Sequence, residues 1–211
     1  MNEWEIEQIV KRVLKKYSSS QRDCKTVPIE ASARHVHLNN EAVEQLFGKG
    51  TVLTKKRELS QPGEFLCEQR IKLVTPKGEL ANVAVLGPAR SAVQVELSLT
   101  DTRLLGLNAP VNLSGDLQHA ADVYLVGPCG VVDAKQSVIV AKNHIHMTPT
   151  DAESFGLTDG DLVRVLVQTK RPITFEQVAV RVKETFALAM HIDFDEANAC
   201  GLENTTAGTI V

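Results

Sequence analysis

Aromatic residues are scarce in this 211-residue chain: one Trp, two Tyr and six Phe, 4% in all. A protein that stacks bases on aromatic platforms is therefore disfavoured. The net charge of −3 also lacks the basic field of a general nucleic-acid binder, so no nucleic-acid partner is expected. Cysteine is sparse as well. Cys24, Cys67, Cys129 and Cys200 are widely scattered and form no Cys-x-x-Cys. A reduced intracellular compartment is expected, with the cysteines as small buried or surface residues. No apolar run is long enough to span a bilayer, and nothing resembles a secretory apolar segment. No Ser-His-Asp set or paired catalytic Cys and His is visible, so chemistry through a covalent enzyme intermediate has no evident nucleophile.

Histidine is what the chain spends with purpose. Four of its six histidines fall in two His-x-His motifs, Arg34-His35-Val36-His37-Leu38 and Asn143-His144-Ile145-His146-Met147. Each follows a strand-like run, residues 27–32 in one case and 137–141 in the other. In an extended strand, residues i and i+2 project from one face. Each pair thus aims two imidazoles at one spot, a common way for a β-protein to begin a metal site. By the same alternation, Arg34 is expected to face away from the metal.

The first seventeen residues are of a different kind. Ile6, Ile9, Val10, Val13, Leu14 and Tyr17 form the stripe of an amphipathic helix. Glu3, Glu5 and Glu7 lie near its start and Lys11, Arg12, Lys15 and Lys16 toward its end, the order a helix dipole favours. A polar linker, Ser18-Ser19-Ser20-Gln21-Arg22-Asp23, follows. Such a helix folds back on its own domain or a dimer partner, or docks detachably on another protein. The acidic residues beside the stripe disfavour a membrane surface.

From Val27 onward, β-rich runs alternate with turn signals: residues 70–75, 81–86, 92–97, 123–126, 163–167 and 178–182. Short helices are expected at residues 40–47 and 149–155, each just after a His-x-His. The order of strand, His-x-His, polar cap, short helix and Phe-Gly recurs at Phe47-Gly48 and Phe155-Gly156. The Asp159-Gly160 turn before a strand resembles one common in small double-psi β-barrels, and residues 106–111 echo it faintly. The expected fold is mainly β, with two similar small β-barrels, short capping helices and the N-terminal amphipathic helix.

Two further segments carry chemical residues. In His191-Ile192-Asp193-Phe194-Asp195-Glu196 an extended chain would place His191, Asp193 and Asp195 on one face, a ligand with supporting carboxylates. In Gly87-Pro88-Ala89-Arg90 and Gln94-Val95-Glu96, Arg90 sits on a turn suited to holding phosphate. Gln94 and Glu96 share a strand face, and Glu96 is the carboxylate for a site of two histidines and one glutamate. His119 has no such company and is expected to be structural or solvated. A cupin competes, because His35, His37, Glu41 and Gly48 fit the spacing of its first motif. Residues 39–46, however, read as a capped helix that would turn Glu41 away, and no histidine between His37 and His119 supplies a second motif. An amidohydrolase would need a (β/α)8 barrel, which this length does not support.

Taken together, Ser32-Ala33-Arg34-His35-Val36-His37-Leu38, Gly87-Pro88-x-Arg90 with Gln94-Val95-Glu96, Asn143-His144-Ile145-His146-Met147 and residues 193–199 resemble the PduL-type phosphate acyltransferases, or phosphate propanoyltransferases. The likeness spans about residues 27–211, in the family's motif order. It implies two β-barrels, two Zn2+ per chain, and interconversion of acyl-CoA (propanoyl-CoA or acetyl-CoA) plus phosphate with acyl phosphate plus coenzyme A. By motif, His35, His37 and Glu96 would hold one zinc, with the coenzyme A sulfur as the remaining ligand. His144, His146 and His191 would hold the second, and Arg90 would bind phosphate and act in catalysis. The resemblance further implies three units: residues 1–20, a targeting helix and linker; residues 21–33 with 142–211, one barrel with its first strand exchanged; and residues 34–141, the other barrel. Many members are cargo of bacterial microcompartments, and residues 1–17 resemble their encapsulation peptide, directed at shell or cargo proteins. The expected location is the microcompartment lumen, otherwise the cytoplasm, and a homo-oligomer, a dimer, is expected. The competing class is a metal-stabilised β-barrel interaction module without catalysis.

Overall fold

Residues 25–211 are described by a computed structural model of the chain. The helix expected at residues 1–17 lies outside them. The first half contains β1 (Thr26–Ser32), β2 (His35–His37), α1 (Asn40–Phe47), β3 (Lys55–Glu58), β4 (Phe65–Val74), β5 (Glu79–Gly87), β6 (Gln94–Leu97), α2 (Leu99–Leu105) and β7 (Val111–Asn112). The second contains β8 (Ala121–Val126), β9 (Val131–Ala141), β10 (His144–Met147), α3 (Pro149–Phe155), β11 (Leu162–Val167), β12 (Ile173–Val182), β13 (Ala189–Asp193), α4 (Phe194–Cys200) and β14 (Ala207–Ile210).

The strands close two six-membered rings, as the paired His-x-His repeats suggest. One ring runs β1-β13-β10-β12-β11-β14. The other runs β4-β5-β2-β6-β9 and closes through β8, which pairs with both β4 and β9. Their connectivities match. β2 lies parallel to β5 and antiparallel to β6, as β10 lies parallel to β12 and antiparallel to β13. The strands leading into the two motifs are exchanged: β1 pairs parallel with β13 in the second ring, and β9 pairs parallel with β6 in the first.

Strand alternation decides which side chains fill the barrels. Val36, Leu38, Val95 and Leu97 enter one apolar core, and Ile145, Met147, Met190 and Ile192 enter the other. Burying each such aliphatic side chain stabilises the fold by about 1.5–3 kcal/mol. Their alternating neighbours, the histidines and Glu96, must therefore project from the outer barrel faces.

The short helices are held by their ends. Asn39 caps α1, accepting the Ala42 N–H at 2.9 Å. Ser98, Thr148 and Asp193 form reciprocal capping boxes with Asp101, Asp151 and Glu196, each satisfying two otherwise orphaned N–H groups. α1 and α3 cover the residues expected from sequence. α4 corrects the reading of residues 193–195 as extended: Asp193 ends the strand as a helix cap, and the Asp195 carboxylate accepts the Thr100 N–H at 2.8 Å.

Candidate active site between the barrels

The third member of each histidine set comes from the strand antiparallel to the motif, at the same register. Glu96 stands opposite His35, and His191 stands opposite His144. All six side chains line one cavity of about 630 Å3. The equivalence extends to atoms. His35 Nδ1 lies 2.8 Å from the Ala33 carbonyl oxygen, and His144 Nδ1 lies 2.8 Å from that of Lys142. A carbonyl only accepts, so both Nδ1 atoms carry a proton, and Nε2 is the ring nitrogen each histidine turns to the cavity for a metal.

In the first set, His35, His37 and Glu96 bring one ligand atom each within 4.8 Å of one another. His35 Nε2 lies 3.5 Å from Glu96 Oε2. Gln94 donates its amide to Glu96 Oε1 at 2.6 Å and to Ser114 Oγ at 2.9 Å, and its oxygen accepts the Gly115 N–H at 2.9 Å. That network fixes the carboxylate. The second set is looser: the rings of His144, His146 and His191 have centroids 4.7, 5.3 and 4.9 Å apart, and His146 stacks on Phe186 at 4.0 Å.

Two of these imidazoles have buried nitrogens without a hydrogen-bond partner among the described residues: His37 Nδ1, and both nitrogens of His146. Such groups are costly unless something binds them. Burial, with His35 and Arg90 adding, lowers the His37 pKa far below its ordinary value. Burial and the surrounding charges of His144, His191, Arg181 and Lys183 lower His146 to about 2, and burial and then His144 lower His191 to about 4. Burial lowers His144 too. Burial alone would raise the Glu96 carboxyl, but His35, Ser114, His144 and Arg90 together hold it below its usual range. The lowered pKa values of His37, His144, His146 and His191 and the ionised Glu96 carboxylate match the protonation states a divalent metal requires. The donor set, nitrogen and carboxylate oxygen without thiolate, suits zinc among other first-row ions.

Arg90 lines the same cavity. Its backbone N–H donates to the Leu38 carbonyl at 2.8 Å, which anchors it beside the first motif. Its Nη2 donates to Glu64 Oε1 at 2.7 Å. Arg34 differs from expectation. The chain bends at Arg34 before β2 begins, so strand alternation does not govern it. It lines the cavity, and its Nη1 pairs with Asp101 Oδ1 at 3.2 Å. Glu41 is exposed on α1, and His119 is exposed on a loop. Cys67 and Cys200 are buried and Cys129 exposed; none lines the cavity. Burial pushes the Cys67 thiol up to about 11, which makes it a poor nucleophile.

Sequence reading missed Gln61 and Glu64. Both sit in the turn between β3 and β4, which only folding carries to the site. Gln61 donates to the Ala187 carbonyl at 3.0 Å, accepts the Ala187 N–H at 3.1 Å, and places its amide nitrogen 3.3 Å from His191 Nε2. The Gln61-Pro62-Gly63 turn signal was the available hint.

A family model described as phosphate propanoyltransferase matches residues 28–203, which include every residue of both sets and Arg90. The chain belongs to the phosphate propanoyltransferase family. It is similar to the phosphate propanoyltransferase of Alkaliphilus metalliredigens, at 46% identity over 100% of both chains. The one from Enterococcus faecalis is 47% identical over 98% of this chain and 97% of the relative. That from Thermotoga maritima is 47% identical over 82% and 83%. Membership in the phosphate propanoyltransferase family makes this chain an acyltransferase, and the cavity between its barrels is the candidate place for that chemistry.

Proposed function

We propose that this chain is a zinc-dependent phosphate acyltransferase, interconverting propanoyl-CoA or acetyl-CoA plus phosphate with the acyl phosphate plus coenzyme A. The observation that carries the reading is the placement of two three-residue ligand sets and Arg90 on one cavity. His35, His37 and Glu96 would hold one zinc, and His144, His146 and His191 the other. When bound, zinc supplies a Lewis acid for the thioester carbonyl and phosphate and a partner for the coenzyme A sulfur.

The rest falls to the chain's own side chains. Arg90 holds and orients phosphate through a charge-assisted fork. Gln94 keeps the Glu96 carboxylate aimed, and the Ala33 and Lys142 carbonyls keep two imidazoles in the metal-binding tautomer. Arg34, Arg57, Lys142, Arg181 and Lys183, all on the cavity wall, give a cationic surround for a polyanionic thioester. With no cysteine among the described residues at the cavity, acyl transfer is direct. Residues 1–17 address the enzyme to a microcompartment shell or its cargo, which places it in the lumen. Residues 21–33 with 142–211 form one unit and residues 34–141 the other, and the enzyme works as a dimer.

The test combines assay and metal analysis. Protein purified without chelator is expected to contain about two zinc ions per chain, set by two ligand groups of three. It should form acyl phosphate from acyl-CoA and phosphate, lose that activity on metal removal, and regain it with zinc. Full activity in metal-free protein would overturn the zinc assignment, and no transfer with either thioester would overturn the reaction.

A further inference from the structure

Phosphate carries a proton that acyl transfer must remove. At neutral pH the nucleophile is hydrogen phosphate, with one O–H. As one of its other oxygens bonds to the carbonyl carbon, that O–H becomes strongly acidic and a base beside the anion speeds the step. The histidines on the cavity wall are those of the two ligand sets, and His119 is elsewhere. The carboxylates at the wall are Glu30, Glu64, Glu96, Asp101 and Asp193. Four are occupied. Glu30 accepts the Ser60 hydroxyl, and Glu96 faces His35 and Gln94. Asp101 is tied into a capping box and to Arg34, and Asp193 caps α4.

Glu64 is different. Among the described residues its one charged partner is the phosphate-binding candidate, Arg90, at 2.7 Å. Both side chains are about one-third exposed to the cavity, at 35% and 34%. Their backbones are fixed: the Glu64 carbonyl accepts the Leu59 N–H at 3.1 Å, and the Arg90 N–H is bound to Leu38. An anion seated on the remaining guanidinium N–H groups comes against this carboxylate. Two bare anions there would repel. Hydrogen phosphate turns that contact favourable by donating its O–H to Glu64.

We propose that Glu64 is the general base of the reaction, taking the proton of the hydrogen phosphate that Arg90 holds. This rests on the reading of Arg90 as the phosphate residue. A phosphate oxygen forms the new bond to the carbonyl carbon while its O–H proton passes to Glu64. The C–S bond breaks with its electron pair on sulfur. The proton then leaves Glu64 through solvent to the thiolate, giving coenzyme A and acyl phosphate with no other reactant. In reverse, Glu64 returns the proton to phosphate.

The test uses full-length, metal-loaded enzyme. Glu64→Gln preserves size and an acceptor for Arg90 but removes basicity. We expect kcat to fall about 100-fold, the low end of general-base effects, with phosphate KM changing less than about threefold. Calorimetric titration with inorganic phosphate should show binding retained in Glu64→Gln and lost in Arg90→Ala. Wild-type kcat in Glu64→Gln, with Arg90→Ala unable to bind phosphate, overturns the base assignment and spares the phosphate site. Unchanged phosphate binding in Arg90→Ala overturns the site on which it rests. Should Glu64→Gln fail to hold its metal, Glu64→Ala is assayed with added formate. Recovery of turnover with formate supports the base. Wild-type turnover without it, or a loss that formate leaves unchanged while phosphate KM rises, overturns it.

Discussion

One residue type plays several parts here, and its surroundings set each part. His35 and His144 are steered by carbonyls two residues before them. His37 and His146 keep unpartnered nitrogens in the interior. His191 faces the amide of Gln61. Burial lowers the pKa of His191 from 6.5 to about 4, and this has a consequence for stability. Between those values the unfolded chain binds a proton that the folded chain refuses, so stability rises with pH across the window. The His191 contribution is fully present above the unfolded value of 6.5 and is lost as pH falls toward 4. Metal-free protein should therefore show urea midpoints that drop from pH 7 to pH 4.5, with a shallower drop in His191→Gln. The comparison isolates His191 from Asp193 and Glu196, which burial shifts upward and which act in the opposite sense. Equal slopes in the two proteins would refute the assignment. At this scale the sequence was informative where ligands sit two apart on one strand. It was silent on Gln61 and Glu64, whose partners lie 130 and 26 positions away.

Elements repeat as the residues do. α2, α3 and α4 each end at a left-handed glycine, Gly106, Gly156 and Gly201, followed by a leucine. The N–H groups of Leu107, Leu157 and Leu202 reach back to Thr102, Ala152 and Ala197 at 2.8, 2.9 and 2.9 Å, the Schellman closure. Strand runs rich in Val and Ile, and the helices at residues 40–47 and 149–155, were legible from local signals. α2 and α4 were not, because their capping boxes lie inside motifs that read more readily as chemistry. α2 is held from outside as well. Gly78, in the β4–β5 turn, lies so close that an added Cβ would sit 2.3 Å from the Leu104 carbonyl oxygen. Backbone on both sides leaves no flexible atom to yield. Gly78→Ala should cost about 1–3 kcal/mol, the usual range for overpacking. That cost should appear as a lower melting temperature with metal content unchanged. A variant as stable as wild type would mean that α2 shifts freely on the sheet.

At the scale of the whole chain, the two rings depend on each other through exchanged strands. β1 is followed at once by the first His-x-His strand yet lies in the ring of the second, and β9 does the converse. No local pattern states this, because pairing between Ile29 and Met190 depends on closure of both barrels together. The exchange also explains why the ligand sets share one cavity: each crossing chain draws the outer face of one barrel toward the other. It bears on residues 1–20 too. The ring containing β1 is closed by β13 on one side and β14 on the other, so its pairing is complete from Thr26 onward and no strand is needed from the preceding segment. Removing residues 1–20 should therefore leave a folded enzyme with about two zinc ions, set by its two ligand groups, and unchanged kcat. The same segment fused to a fluorescent protein should direct it to microcompartment shells, through the apolar stripe of Ile9, Val10, Val13 and Leu14. Polar substitutions at those four positions should abolish that targeting and leave catalysis intact. Unfolding or metal loss on truncation would make the segment part of the fold, and free diffusion of the fusion would remove the assignment to the lumen.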